Sequence, residues 1–268
     1  MNTRAHWQIV LGSAAFLAGQ ATSTLVFSFL ALLVAPLPFK NRYAVITTWT
    51  RFNLWWLQVC CGLDHVVEGV ENIPAQPSVI LCKHESTWET LALQTLFKPQ
   101  SWVLKRELLW IPFFGWGLAL LRPIAIDRSS GQKAVRELIR QGRERLINGA
   151  WVVVFPEGTR IAPGSKGEYH KGGAVLAKRA GTAALPVAHN AGDYWRRKSF
   201  LKFPGTIRIV IGPPIATDIL NADEVIERAE QWIEATVAQL RPTVPNAKQY
   251  SSTAPPPATV HSDGDSTH

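Results

Sequence analysis

Residues 82–90 read CKHESTWET and follow an apolar run, residues 78–81, so a histidine and a carboxylate stand where a strand would give way to a helix. Such a corner is a common place for a site. Placed on one helix, His84 and Glu89 would lie about 140° apart around the axis and face away from each other. If His84 lies in the turn instead, and Ser86 caps a helix starting at Thr87, Glu89 falls in the first helical turn and folds back toward the imidazole. The helix N-terminus keeps a carboxylate there ionised. An ionised carboxylate on one ring nitrogen fixes the tautomer and leaves the other nitrogen to take a proton from a hydroxyl, which makes a general-base pair. The Ser86-to-Glu89 spacing is equally that of a capping box, so a helix start with an incidental histidine fits the same residues. Zinc fits poorly: His84-Glu85 is not followed by the second histidine of HExxH, and no Cys or His has the spacing to replace it.

Three further segments carry groups suited to anions or to shaping a site. Residues 151–160, WVVVFPEGTR, break an apolar run at Pro156 and continue through Glu157, Gly158, Thr159 and Arg160. Gly158 permits a tight turn, and Arg160 offers a planar fork of donors for phosphate. Lys166, His170, Lys171 and the pair Gly172-Gly173 follow, just before an apolar stretch at 174–180, and a glycine-opened helix beside basic groups suits an anion. The plain alternative is a β-turn with surface charges. Residues 115–128, GWGLALLRPIAIDR, end on Asp127-Arg128, where Arg128 is a second phosphate candidate or an arginine paired with its neighbour. Residues 183–190, AALPVAHN, place Pro186 inside an apolar run, which predicts an edge strand or a bend.

The elements that must position these residues follow from periodicity. Residues 65–241 alternate short apolar runs with amphipathic stretches, which predicts an α/β domain: a mixed, mostly parallel sheet flanked by helices. Strands are expected at 78–82, 123–126, 151–155, 183–187 and 206–211. A helix is expected at 132–148, with Val135, Leu138, Ile139, Gly142 and Leu146 on one face and Gly149 ending it. Another is expected at 223–240, opened by Asn221 and Glu224 as a capping box and stopped by Pro242. Residues 242–268 are rich in Ser, Thr, Pro and Ala and read as a disordered tail.

Ahead of this domain, residues 1–64 read as membrane and interfacial helices. Residues 9–37 carry no formal charge and exceed the roughly 20 residues needed to span a bilayer core. They are too long for a cleaved signal peptide. Gly19 and Gln20 interrupt the run, leaving a tilted span or a bent re-entrant hairpin. Lys40, Arg42 and Arg51 outnumber Arg4, which puts the following domain on the cytoplasmic side of an inner membrane if the run spans. Residues 43–63, with Trp49, Phe52, Trp55, Trp56 and Leu57, read as an interfacial aromatic helix or as an amphipathic core helix. The chain of 268 residues is 47% hydrophobic and 18% charged, which excludes wholesale disorder, and its 11 Trp favour a membrane boundary. Cys60, Cys61 and Cys82 cannot build a disulfide framework, consistent with a reducing compartment. The net charge of +8 suits anionic lipid or substrate, and the basic residues are scattered rather than arranged for nucleic acid.

HESTWE, GWGLALLRPIAIDR, FPEGTR and ALPVAHN, in that order across residues 65–214, resemble the 1-acyl-glycerol-3-phosphate acyltransferase family. The resemblance implies transfer of a fatty acyl group from a coenzyme A or acyl-carrier-protein thioester to the sn-2 hydroxyl of lysophosphatidic acid, giving phosphatidic acid without metal or prosthetic group. It implies that His84 is the catalytic histidine and Glu89 its acidic partner, where the family pattern usually has Asp. By the same match Glu157, Gly158, Thr159 and Arg160 hold the glycerol phosphate, Arg128 assists, Lys105 reaches the phosphate and Pro186 shapes the acyl-donor side. Direct transfer is expected, with His84 taking the acceptor proton; an acyl group carried on Ser86 or Cys82 is the covalent variant. Other expectations remain open: a different lysophospholipid acceptor, hydrolysis with water as acceptor, and a lipid-binding membrane protein without chemistry.

Overall fold

In the computed structural model, residues 4–127 and 130–241 are described, so Arg128 and the 242–268 tail lie outside the described residues. Three helices come first: α1 (His6–Leu33), α2 (Phe39–Ile46) and α3 (Thr48–Cys61). The α/β region follows as β1 (Leu63–Glu68), β2 (Val79–Cys82), α4 (Trp88–Leu96), β3 (Gln100–Lys105), α5 (Phe114–Ala119), β4 (Ile124–Ile126), α6 (Gln132–Ile147), β5 (Trp151–Val154), α7 (Gly172–Ala180), β6 (Ala184–His189), α8 (Ala191–Tyr194), β7 (Gly205–Ile211) and α9 (Ala222–Leu240).

The strands form one sheet in the order β1-β7-β6-β2-β5-β3-β4. From β6 to β4 the neighbours are parallel; β7 runs antiparallel to β6, and β1 pairs parallel with β7. The expected mixed, mostly parallel α/β architecture is present. Side chains alternate between the faces, as strand geometry requires. Ile80, Cys82, Trp151, Val153, Leu185 and Val187 point toward α1, α3 and α4. Val79, Leu81, Val152, Val154 and Ala184 point toward α6, α7 and α9. Burial on both faces explains the unbroken apolar runs of the central strands.

Two strands differ from the sequence expectation. β1 begins directly after α3, where Gly62 turns the chain with φ +64, so the sheet begins at Leu63 and the helix expected over 43–63 stops short. That stretch also divides at Thr47 into α2 and α3. β3 was not expected because its buried positions include Gln100 and Ser101. Pro186, expected at an edge or bend, sits in β6 between β2 and β7. It is tolerated there because β7 has already ended: Gly212 donates its N–H to the Pro186 carbonyl at 2.9 Å, and pairing resumes only at Ala184 with Ile215.

α1 is unbroken through Gly19 and Gln20, so the apolar run does not bend there. The glycines of α1 at 12 and 19 serve packing instead. A Cβ on Gly12 would overlap the Cys60 carbonyl, and one on Gly19 would overlap the Trp56 indole, so the two positions let α3 approach α1. Trp56 then donates to the Ala15 carbonyl at 3.1 Å. Both halves of α1 also lie on the α/β region: Ser13 accepts from Lys202 N at 2.9 Å, Phe16 packs edge-on against Trp195, and Ala31 lies beside Gly117. Its outward face exposes Trp7, Leu11, Val26 and Leu33.

Candidate active site

α4 starts at Trp88 with Thr87 as its N-cap, one residue later than the sequence expectation. Ser86 Oγ accepts from Trp88 N at 3.2 Å. Glu89 folds back as expected: one carboxylate oxygen accepts from Ser86 N at 2.9 Å and Glu85 N at 3.1 Å, and the same oxygen lies 2.8 Å from His84 Nδ1. The capping role and the histidine partnership are therefore one arrangement. Glu89 is fully buried, and His84 keeps 13% of its side chain exposed, so substrate can reach the imidazole and not the carboxylate. The ring stacks on Phe155 with centroids 4.0 Å apart. With Nδ1 on Glu89, Nε2 is the nitrogen available to a substrate.

Burial sets the proton affinities here. It pushes His84 below its ordinary value, against the opposing pull of Glu89, and Arg160 adds to the lowering. Burial alone would raise Glu89, but His189, His84 and the Ser86 amide together hold it below the usual carboxylate range. The pair is thus an anionic carboxylate beside a neutral imidazole at neutral pH, the state a general base requires.

The 155–161 turn is stitched to the histidine turn. Gly158 takes φ +63 and closes onto the Phe155 carbonyl, Ile161 N donates to the His84 carbonyl at 2.8 Å, and Arg160 Nε donates to the Ser86 carbonyl at 2.7 Å. His84, Gly158, Thr159 and Arg160 share one cavity of about 920 Å³. Its apolar walls come from α1, through Leu17, Ala21 and Leu25, and from Leu91, Trp102 and Leu118. Lys105 lies on the same cavity with its side chain 57% exposed, 3.5 Å from Glu107.

Other expected residues go elsewhere. Glu157 is buried behind the turn, 3.2 Å from Lys83 Nζ, and burial pushes its carboxyl up to about 7 with Lys83 opposing. Pro186 is buried within the sheet, and neither residue lines the cavity. Lys166 and Lys171 pair with Glu230 and Asp223 of α9. Gly173 serves close packing, since a Cβ there would come within 2.6 Å of Leu81. Among the described residues no group of three His, Cys, Asp or Glu is disposed to hold a metal ion.

Sequence reasoning missed Arg197, which lines the cavity and donates to the Arg160 carbonyl at 3.0 Å. The basic run Arg196-Arg197-Lys198 was the available signal. It also missed the wall that α1 supplies, for which periodicity holds no signal.

A family model described as Acyltransferase matches residues 64–190. The 1-acyl-sn-glycerol-3-phosphate acyltransferase of Pseudomonas aeruginosa is 49% identical over 227 residues, covering 83% of this chain and 88% of that protein. The Saccharomyces cerevisiae enzyme of the same name is 30% identical over 212 residues, covering 75% and 68%. In fold, the chain is similar to the crystal structure of the 1-acyl-sn-glycerophosphate (LPA) acyltransferase PlsC from Thermotoga maritima, with a TM-score of 0.71 and 22% identity over 86% of this chain and 95% of that one.

Proposed function

This chain belongs to the 1-acyl-sn-glycerol-3-phosphate acyltransferase family, and from that premise we propose that it transfers a fatty acyl group from acyl-CoA or acyl carrier protein to the sn-2 hydroxyl of lysophosphatidic acid. The observation that carries the mechanism is the His84–Glu89 pair at 2.8 Å opening onto an apolar cavity. His84 Nε2 takes the hydroxyl proton as the sn-2 oxygen attacks the thioester carbonyl. The imidazolium then protonates the departing thiolate, and Glu89 stabilises the cation. General-base help of this kind contributes about 10²–10⁴ in rate.

Arg160, with Thr159 and the Gly158 turn, receives the phosphate, and Lys105 and Arg197 approach from the rim of the same cavity. Glu157 acts from behind, as the anchor of that turn on Lys83. The apolar walls receive an acyl chain. No acyl-enzyme is required: Ser86 Oγ is committed to the helix cap, and burial together with the neighbouring carboxylates pushes the Cys82 thiol up, away from the reactive thiolate.

The 65–241 segment is the catalytic unit of this reading and 1–64 its membrane attachment. Because α1 touches the α/β region along both of its halves, it is better suited to lie in the cytoplasmic leaflet of the inner membrane, with its exposed face in lipid, than to cross the bilayer. Trp116, exposed and joined to Phe29 of α1 through Phe113, extends the same apolar surface.

The test is transfer of radiolabel from acyl-CoA and from acyl carrier protein to lysophosphatidic acid, comparing wild type with His84→Ala in matched membrane preparations. Phosphatidic acid from wild type alone is expected. Equal product from both would remove His84 as the base, free fatty acid without phosphatidic acid would favour hydrolysis, and a trapped acyl-enzyme would overturn direct transfer.

A further inference from the structure

The alternation of β2 runs on past its last residue. Lys83 N donates to the Val187 carbonyl at 3.0 Å, continuing the ladder, so His84 follows Ile80 and Cys82 toward the cavity while Lys83 and Glu85 follow Val79 and Leu81 to the opposite side. There both meet α9. Lys83 Nζ donates to Glu234 at 2.6 Å, and Arg241 Nη2 bonds Glu85. Lys83 and Glu85 are fully buried. Glu234 and Arg241 are seven residues apart, two turns of helix, and so lie on one face of α9 and at its end.

We propose that α9 positions the general base: Glu234 and Arg241 grip the residues immediately before and after His84, and so hold its Nδ1 on Glu89 and aim its Nε2 into the cavity. This rests on the reading of His84 as the base of acyl transfer. Other contacts converge on the same grip. Glu234 also accepts from Tyr169 at 2.8 Å, Lys83 lies 3.2 Å from Glu157 of the phosphate turn, and Arg241 Nε lies 3.7 Å from Asp193 of α8. His189, fully buried, accepts from Ala191 N on Nδ1 at 3.2 Å, which leaves its Nε2–H to donate to the Lys83 carbonyl at 2.9 Å.

Packing does not need these charges. Val225, Ile226, Ala229, Ile233, Val237 and Leu240 already bury α9 against the sheet. Apolar residues of similar volume in place of a buried ion pair are often neutral or stabilising, so what two buried pairs add is fixed geometry. A displacement of about 1 Å from productive geometry can lower a rate about 100-fold.

The experiment measures kcat and KM for lysophosphatidic acid and an acyl-CoA in the full chain in mixed micelles, together with Tm, for wild type and four variants. Arg241→Met and Glu234→Gln are expected to lower kcat, the former by about 10- to 100-fold, with KM for both substrates within about twofold of wild type. Arg241→Lys should recover most of the loss. Asn221→Ala, which removes the α9 cap without touching the grip, should lower Tm and leave kcat unchanged. Folded Arg241→Met and Glu234→Gln proteins with wild-type kcat would overturn the proposal, as would a kcat loss that simply tracks Tm across all four variants. A wild type that acylates nothing would overturn the parent reading instead. In that event the imidazole 15N shifts of His84, read without substrate, decide the grip: an Nδ1–H tautomer unchanged in Arg241→Met refutes it, and a mixed tautomer supports it.

Discussion

The sheet face turned toward α1, α3 and α4 buries Phe16, Trp88, Phe97, Trp102, Trp151 and Trp195, whereas the face under α6, α7 and α9 buries Val, Leu, Ile and Ala. Large rings and a helix carrying Gln20, Thr24 and Ser28 leave an irregular cavity on the first face. Small side chains close the second: a Cβ on Gly142 would lie 2.5 Å from Leu176, and one on Gly173 2.6 Å from Leu81. The difference separates a face that admits a substrate from one that holds the strands, and the residues flanking His84 take their buried partners from the holding face. Outside the two contacts from α9 to the neighbours of His84, stability and activity should therefore respond to different faces.

The largest expected effect is on the cavity face: His84→Ala should lower kcat/KM by about 10²–10⁴ with little change in Tm, measured by acyl transfer and thermal unfolding. If Tm falls as well, the imidazole is part of the scaffold. On the opposite face Leu176→Ala, at a fully buried site, should destabilise by about 2–5 kcal/mol by denaturant titration while the folded fraction keeps its specific activity. A loss of specific activity at full folding would erase the division between the faces. Gly173→Ala should cost about 1–3 kcal/mol through its overlap with Leu81 and Val154, and neutral stability would mean that α7 can shift off the sheet.

A smaller effect is expected in pH dependence. The base must be neutral, and burial sets His84 below its ordinary value of 6.5, so the acid limb of kcat/KM should be centred below pH 6.5. An acid limb centred above 6.5 would show that Glu89 outweighs burial. Smallest of all, Arg208→Met breaks the exposed ion pair that β7 makes with Glu68 of the edge strand β1, outside both buried clusters, and should change stability by about 1 kcal/mol or less.

Much of the candidate site was legible as spacing. Ser86 and Glu89 join the start of α4 to a histidine partner, because a carboxylate in the first helical turn satisfies orphan amides and any donor beside them, although the full capping box does not form: Ser86 Oγ accepts from Trp88 N instead of Glu89 N. The capping box at Asn221 and Glu224 formed as read, since it is a purely local bond set. Legibility ended where a partner was remote in sequence. Glu157 sits beside Gly158, Thr159 and Arg160 in the chain, yet its side chain turns inward to lie 3.2 Å from Lys83 on another strand end. Lys166 and Lys171 read as anion ligands and instead meet α9.

The sequence by itself determined the alternation of strands and helices and the apolar N-terminal helix, and it offered the pairing of His84 with Glu89 as one of two readings. Each depends on residues within a few turns of one another, where periodicity and capping chemistry act. Only the tertiary structure decided that β1 and β7 run against the other strands, that α1 walls the cavity, and that α9 reaches both neighbours of His84. Those arrangements depend on which surfaces meet, and a buried charge or an apolar stripe constrains the type of its partner without identifying it.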